Sequence, residues 1–231
     1  PGTIVYAALS GEEQGLYGGK IMADYAKAQG WNVIANLNND IIGNSCGSDG
    51  HCDDDHVRVF SEGPRWQGRE ELADEIRRFG GENDAPSRNL SRYLDSLADR
   101  LPQIGLDVRQ IWRNDRFGRG GDHTEMLNAG YPAIRFSVAV ENYNHQHQDL
   151  RVGKGVEYGD TIDKMDFPYL EKVTKLNVAA LAAQRQALGV RHHGCVHGVE
   201  GLHDLGVRQQ PLHLLGERVG VLDAQRRREA G

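Results

Sequence analysis

Two short apolar runs, each ending abruptly in carboxylates, restrict the possible fold of this chain more than any other feature. The first, Thr3 to Leu9 (TIVYAAL), gives way to Ser10, Gly11, Glu12 and Glu13; the second, Asn32 to Leu37, gives way to Asn38, Asn39 and Asp40. Runs of this length, rich in β-branched and apolar residues, read as strands, and a helix pattern from about Leu16 to Ala28 lies between them. Strands alternating with helices predict a mostly parallel central sheet covered on both faces, a three-layer α/β/α sandwich. Sheets of that kind gather ligands just past the carboxyl ends of their strands, which is where both acidic clusters fall.

The alternation continues downstream. A short strand is expected at Val57 to Phe60, then helices whose apolar stripes are Leu72, Ile76 and Phe79, and Leu90, Leu94, Leu97 and Leu101. Such spacings make one apolar face per helix, so these residues belong to the core and not to chemistry. A strand near Val108 to Trp112 leads into GRGGDHTEMLNAG, a glycine-rich loop opening a short helix; Tyr131 to Val140 reads as the next strand and Pro168 to about Ala183 as the last helix. Past Gln184 no Phe, Trp, Tyr or Lys occurs, although five of the ten histidines do. A stretch so poor in aromatics is hard to fold onto a core, so residues 184–231 are expected to form a poorly packed appendage to a domain at 1–183. Its histidines, His192, His193, His197, His203 and His213, are left out of the candidate site.

With a net charge of -6 and both signs mixed through most of the chain, no basic stripe of the kind nucleic acid requires is present. No apolar run approaches the roughly 20 residues needed to span a bilayer. Residues 1 to 20 show no signal-peptide pattern. Cys46 and Cys52 flank a turn-rich segment, NSCGSDGHC, and could close a loop with one bridge or remain unpaired thiols. A bridge would point to an oxidising compartment, secreted or periplasmic. Oligomeric state leaves no signature.

The chemistry-bearing residues fall in separate clusters. Adjacent carboxylates such as Glu12 and Glu13 repel unless a cation stabilises them, and residues leaving a strand into a loop can point apart, one to a metal and one to a substrate water. Taken alone, an acidic pair is usually solvated surface. Asp40, followed by Ile41 and Ile42, reads as a half-buried acid needing a partner, or as a turn cap. In NYNHQHQD, His145 and His147 would share a face if the chain were extended there, and imidazoles with carboxylates suit a zinc site. Tyr143 either polarises a substrate carbonyl or simply packs. Asp53 to Asp55 read as solvated loop charge, since no calcium-loop pattern surrounds them.

Taken in order, strand then SGEE, strand then NND, a GDH loop, the GYPAIRF strand, the histidine loop and DTIDKMDFPYLEKV resemble the M28 family of zinc peptidases over residues 3 to 183. The resemblance implies a cocatalytic pair of zinc ions and an aminopeptidase acting on peptide or protein N-termini. It implies that Glu12 is the general base, that Glu13 and Asp40 are zinc ligands, and that one of His145 and His147 is a further ligand, with His147 favoured. Asp122 and His123 resemble the loop that supports the centre through hydrogen bonds, and Asp160 and Thr161 the pair opening the last helix. The family's first histidine and bridging aspartate precede the SGEE segment, so the polypeptide alone is expected to be inactive. Glutaminyl cyclases, with one zinc on the same scaffold, and a non-catalytic scaffold domain are the alternatives.

Overall fold

A computed structural model describes residues 2–61, 78, 83–116 and 120–190, with side chains as far as residue 184. The helix expected around Leu72, Ile76 and Phe79, and the tail histidines, lie outside the described residues.

The elements run α1 (Tyr17–Ala28), β1 (Asn36–Asn39), β2 (His56–Phe60), α2 (Pro86–Arg100), β3 (Asp107–Ile111), α3 (His123–Asn128), β4 (Ala133–Val138), β5 (Arg151–Gly153), β6 (Val156–Tyr158) and α4 (Phe167–Val190). The main sheet has the order β1-β4-β2-β3, parallel at β1/β4 and β2/β3 and antiparallel at β2/β4. Every residue of β4 is buried, as its place between β1 and β2 requires. Its alternating side chains serve two layers: Ile134, Phe136 and Val138 pack with Val57 and Val59 against the stripes of α2 (Leu90, Leu94, Leu97) and α4 (Tyr169, Val173, Leu176, Ala180). Ala133, on the opposite face, packs with Ala23 of α1 and Met126 and Leu127 of α3. The three-layer sandwich expected from the alternation is therefore the observed architecture.

Local chemistry sets the helix ends. Pro86 occupies the first turn of α2, where its missing N–H costs nothing, and the next proline, Pro102, follows the helix end at Arg100. At α4 the Asp166 carboxylate accepts from the backbone N–H of Tyr169 at 3.0 Å and pairs with the Ser45 hydroxyl at 2.5 Å, an N-cap tied to the loop after β1. That loop carries the Cys46–Cys52 disulfide, so of the two readings of these cysteines the bridged one is observed.

Three expectations shift. Thr3 to Leu9 joins no sheet among the described residues, and Ile4, Val5, Tyr6 and Leu9 are exposed. Apolar composition supplies strand propensity, but a strand persists only where its N–H and C=O groups find a ladder. The second run forms a strand later than expected: pairing with β4 selects Asn36 to Asn39, opposite Ala133 to Phe136. The segment between the histidine loop and Asp160, for which the sequence predicts no element, folds as the β5–β6 hairpin.

Candidate metal centre

The first acidic cluster sits in a tight turn that feeds α1. Gly11 takes φ 75°, a conformation open to glycine, and the N–H groups of Gly15 and Leu16 both donate to the Glu12 carbonyl, at 3.0 and 2.9 Å. The turn separates the two acids: Glu12 is half-buried and Glu13 exposed. Helix α1 can then approach closely only because Tyr17 is followed by two glycines. A β-carbon on Gly18 would lie 2.6 Å from the Ser10 carbonyl oxygen, and one on Gly19 would lie 2.6 Å from Asp122 Oδ1. Gly19 instead donates its N–H to that oxygen at 2.8 Å, so Asp122 anchors the first turn of α1 and satisfies one of its orphan donors.

Glu12, Glu13, Asp40, His147 and Asp160 line one open cavity of about 610 Å³, together with Arg116 and Arg135. Carboxylates from three separated stretches thus share one space. Burial, followed by the charges of Asp40, Glu13 and Asp122, raises the Glu12 carboxyl above its ordinary range, against the opposing pull of Arg135. Glu13 and His147 approach to 3.5 Å. Asp40 is engaged from the protein side: Arg135 Nη2 lies 3.2 Å from its Oδ2, and Arg135 Nε donates to its backbone carbonyl. Among the described residues, no three His, Cys, Asp or Glu side chains stand close enough together to hold a metal by themselves.

The histidine loop is not extended, which separates the two candidates within it. The Asn142 carbonyl accepts from the N–H groups of both His145 and Gln146 at 3.2 Å, and His147 leaves the turn at φ 53°. His147 reaches the cavity; His145 is absent from its lining, and its Nδ1 is buried without a partner. Residues two apart share a face in a strand but not in a helical turn. Tyr143 is 57% exposed and is likewise not part of the lining. His123 is buried, with Nε2 2.9 Å from the Asn114 carbonyl. Burial drives its pKa down to about 4, so the imidazole is neutral at pH 7.

Arg135 is the buried cavity residue that motif reading passes over. It is 2% exposed yet binds the Asp40 carboxylate and carbonyl, the Asp115 carboxylate and, at 2.6 Å, the Gly120 carbonyl. A charged residue in the otherwise apolar strand GYPAIRF was the available signal, because a buried guanidinium demands acidic partners. Asp115, Arg116 and Glu141 are those partners and their neighbours, and nothing in their local spacing announces them.

The chain is similar to several known proteins. The family described as Peptidase family M28 matches residues 1–152. The chain is 45% identical over 188 residues to a Leptosphaeria maculans protein named "Probable zinc metalloprotease", covering 81% of this chain and 43% of that protein. It is 46% identical over 187 residues to a Pyrenophora tritici-repentis protein of the same name, covering 80% and 38%. The solved Legionella pneumophila LapA aminopeptidase aligns at TM-score 0.44 and 20% identity over 76% of this chain and 37% of that one. The chain spans about two fifths of the length of these curated relatives. On the family match and the identity to these relatives, the chain belongs to peptidase family M28.

Proposed function

We propose that this chain contributes the general base and part of the metal centre of a zinc-dependent aminopeptidase that hydrolyses N-terminal peptide bonds. The observation that carries the reading is the cavity shared by Glu12, Glu13, Asp40 and His147. Its donors are carboxylates and an imidazole, the mixed oxygen and nitrogen set that zinc takes. Burial and then the crowding of negative charge raise the Glu12 carboxyl, and the crowding is what a cation would relieve. Glu13, Asp40 and His147 are the donors this chain would contribute to a centre of two ions, which they do not hold by themselves. Zinc, when bound, polarises a scissile carbonyl and acidifies water.

Glu12 supplies the proton transfers. Its carboxylate takes a proton from the attacking water and returns it to the leaving amine. Asp122 and His123 act from behind: Asp122 fixes α1, and so the turn bearing Glu12, while neutral His123 fills the space beside Asn114 and Asp115. The Cys46–Cys52 bridge supports a secreted or periplasmic location. Three donors are too few for two ions, so the 231-residue polypeptide alone is expected to be inactive.

The test is hydrolysis of aminoacyl amides by a full-length protein containing this chain. Activity should be lost with chelator and should fall by about 10²–10⁴-fold in Glu12→Gln. Formation of pyroglutamyl ends in place of amino-acid release would assign the scaffold to cyclase chemistry instead. Zinc-dependent turnover by the 231-residue chain itself would overturn the expected inactivity.

A further inference from the structure

Away from the cavity, one tripeptide carries chemistry that the proposed reaction does not use. Asn89, Leu90 and Ser91 form the single Asn-x-Ser/Thr pattern in this sequence, with no proline at its centre, and that pattern is the acceptor for N-linked sugar. It is short enough to arise by chance, so its place in the fold decides what it means. Asn89 stands in the first turn of α2 and is exposed, whereas Leu90 is buried and Ser91 wholly so. Helical spacing sets Asn89 on one outer stripe with Ser96 and Arg100, both exposed.

The Asn89 carboxamide makes local contacts at the surface: Nδ2 donates to the Asp84 carbonyl at 3.2 Å, and Oδ1 accepts from Arg92 Nη2. An exposed amide exchanges such bonds for water at small net cost, so a sugar on Nδ2 asks nothing of the core. Ser91 is the opposite case. Its hydroxyl faces inward, 3.4 Å from Gln110 Oε1 of β3, so the whole tripeptide is open to an enzyme only before α2 packs on the sheet. Transfer therefore belongs to a chain that enters the modifying compartment unfolded. The Cys46–Cys52 bridge fits the same route: Cys52 is exposed, and an accessible bridge persists where the surroundings are oxidising. None of the residues lining the cavity comes from α2, so a sugar there leaves the cavity open.

We propose that Asn89 carries an N-linked oligosaccharide, transferred from a lipid diphosphate donor as the chain enters a eukaryotic secretory lumen. A bond forms between Asn89 Nδ2 and the anomeric carbon of the first sugar. The bond from that carbon to the diphosphate oxygen breaks, the lipid diphosphate leaves with the electron pair, and the amide proton passes to a base of the transferase. Such a modification presupposes the secreted location read above from the Cys46–Cys52 bridge, and it involves none of the metal donors. It also fixes an orientation. A stripe that bears sugar stays in solvent, so the outer face of α2 is left uncovered in any longer protein that contains this chain.

Mass spectrometry of the full-length protein purified from its own source tests this. The protein is denatured, digested and treated with peptide-N-glycosidase in heavy-oxygen water, which converts a sugar-bearing asparagine to labelled aspartate. Position 89 should be recovered as labelled aspartate, and Cys46 and Cys52 as a bridged pair. Unlabelled asparagine at position 89 beside bridged cysteines would overturn the sugar and leave the secreted location standing. Unlabelled asparagine beside free thiols would overturn both. In a eukaryotic host secreting the full-length protein, Ser91→Ala should abolish the label at position 89, and Ser91→Thr, which keeps the acceptor pattern, should retain it. A label that survives Ser91→Ala would overturn the tripeptide as its cause. The label is read on denatured protein, so a folding defect in either variant does not enter.

Discussion

Gly19→Ala should destabilise the protein although alanine is the better helix former. Within a helix the exchange favours alanine by about 1 kcal/mol. Here the new β-carbon would stand 2.6 Å from Asp122 Oδ1, 2.8 Å from the Asp122 carbonyl oxygen and 3.0 Å from its Cα. Two of these atoms are backbone, so no rotamer change relieves the contact, and forced overpacking costs about 1–3 kcal/mol. Moving α1 away would stretch the 2.8 Å bond from the Gly19 N–H to the carboxylate, a class worth about 1.5–3 kcal/mol. Since relief of one penalty partly incurs the other, the net loss should be about 2–4 kcal/mol. For a chain of this size that corresponds to a fall in Tm of about 10 °C, readable equally as a lower urea midpoint at unchanged slope. Asp122→Ala should cost less in the Gly19→Ala background than alone, because the shared contact is already gone. A Gly19→Ala protein as stable as its parent, or more stable, would refute the close approach of α1 to the Asp122 loop.

Other consequences follow from the same contacts. His123, held near pKa 4 against an ordinary 6.5, stays unprotonated in the fold while the unfolded chain takes up a proton. Stability should therefore fall as pH drops from 6.5 to about 4, by up to about 3 kcal/mol, and His123→Gln should flatten that part of a urea-midpoint profile. Cys46→Ser with Cys52→Ser opens a loop closed over a sequence separation of 6, worth about 2 kcal/mol on the chain-entropy account; reductant should lower the Tm of the unaltered chain and leave the double variant unmoved. Leu94→Ala, at a wholly buried position of α2, should cost about 2–5 kcal/mol, measured by denaturant titration.

Much of the layer architecture was readable from periodicity. The stripes of α2 and α4, the β4 strand and the helix after SGEE all appear close to where spacing put them, because burial of an apolar face is a local pattern with a direct structural consequence. Thr3 to Leu9 was misread as a paired strand for the complementary reason: its composition is local, but its ladder partner is not. The residues of the candidate site divide in the same way. Glu12, Glu13 and Asp40 stand out as acids ending apolar runs, whereas the divergence of His145 from His147 depends on a turn closed by the Asn142 carbonyl. No spacing rule fixes that turn.

By itself, then, the order of residues determined the alternation of elements, the strand ends at which carboxylates collect and the family to which they point. Tertiary structure decided which of those carboxylates share a cavity, that His147 and not His145 reaches it, and that Arg135, Asp115, Arg116 and Glu141 stand behind it. The physical reason is range. Hydrophobic periodicity acts between near neighbours in sequence, while a buried charge is satisfied by whichever partner the completed fold brings within hydrogen-bonding distance.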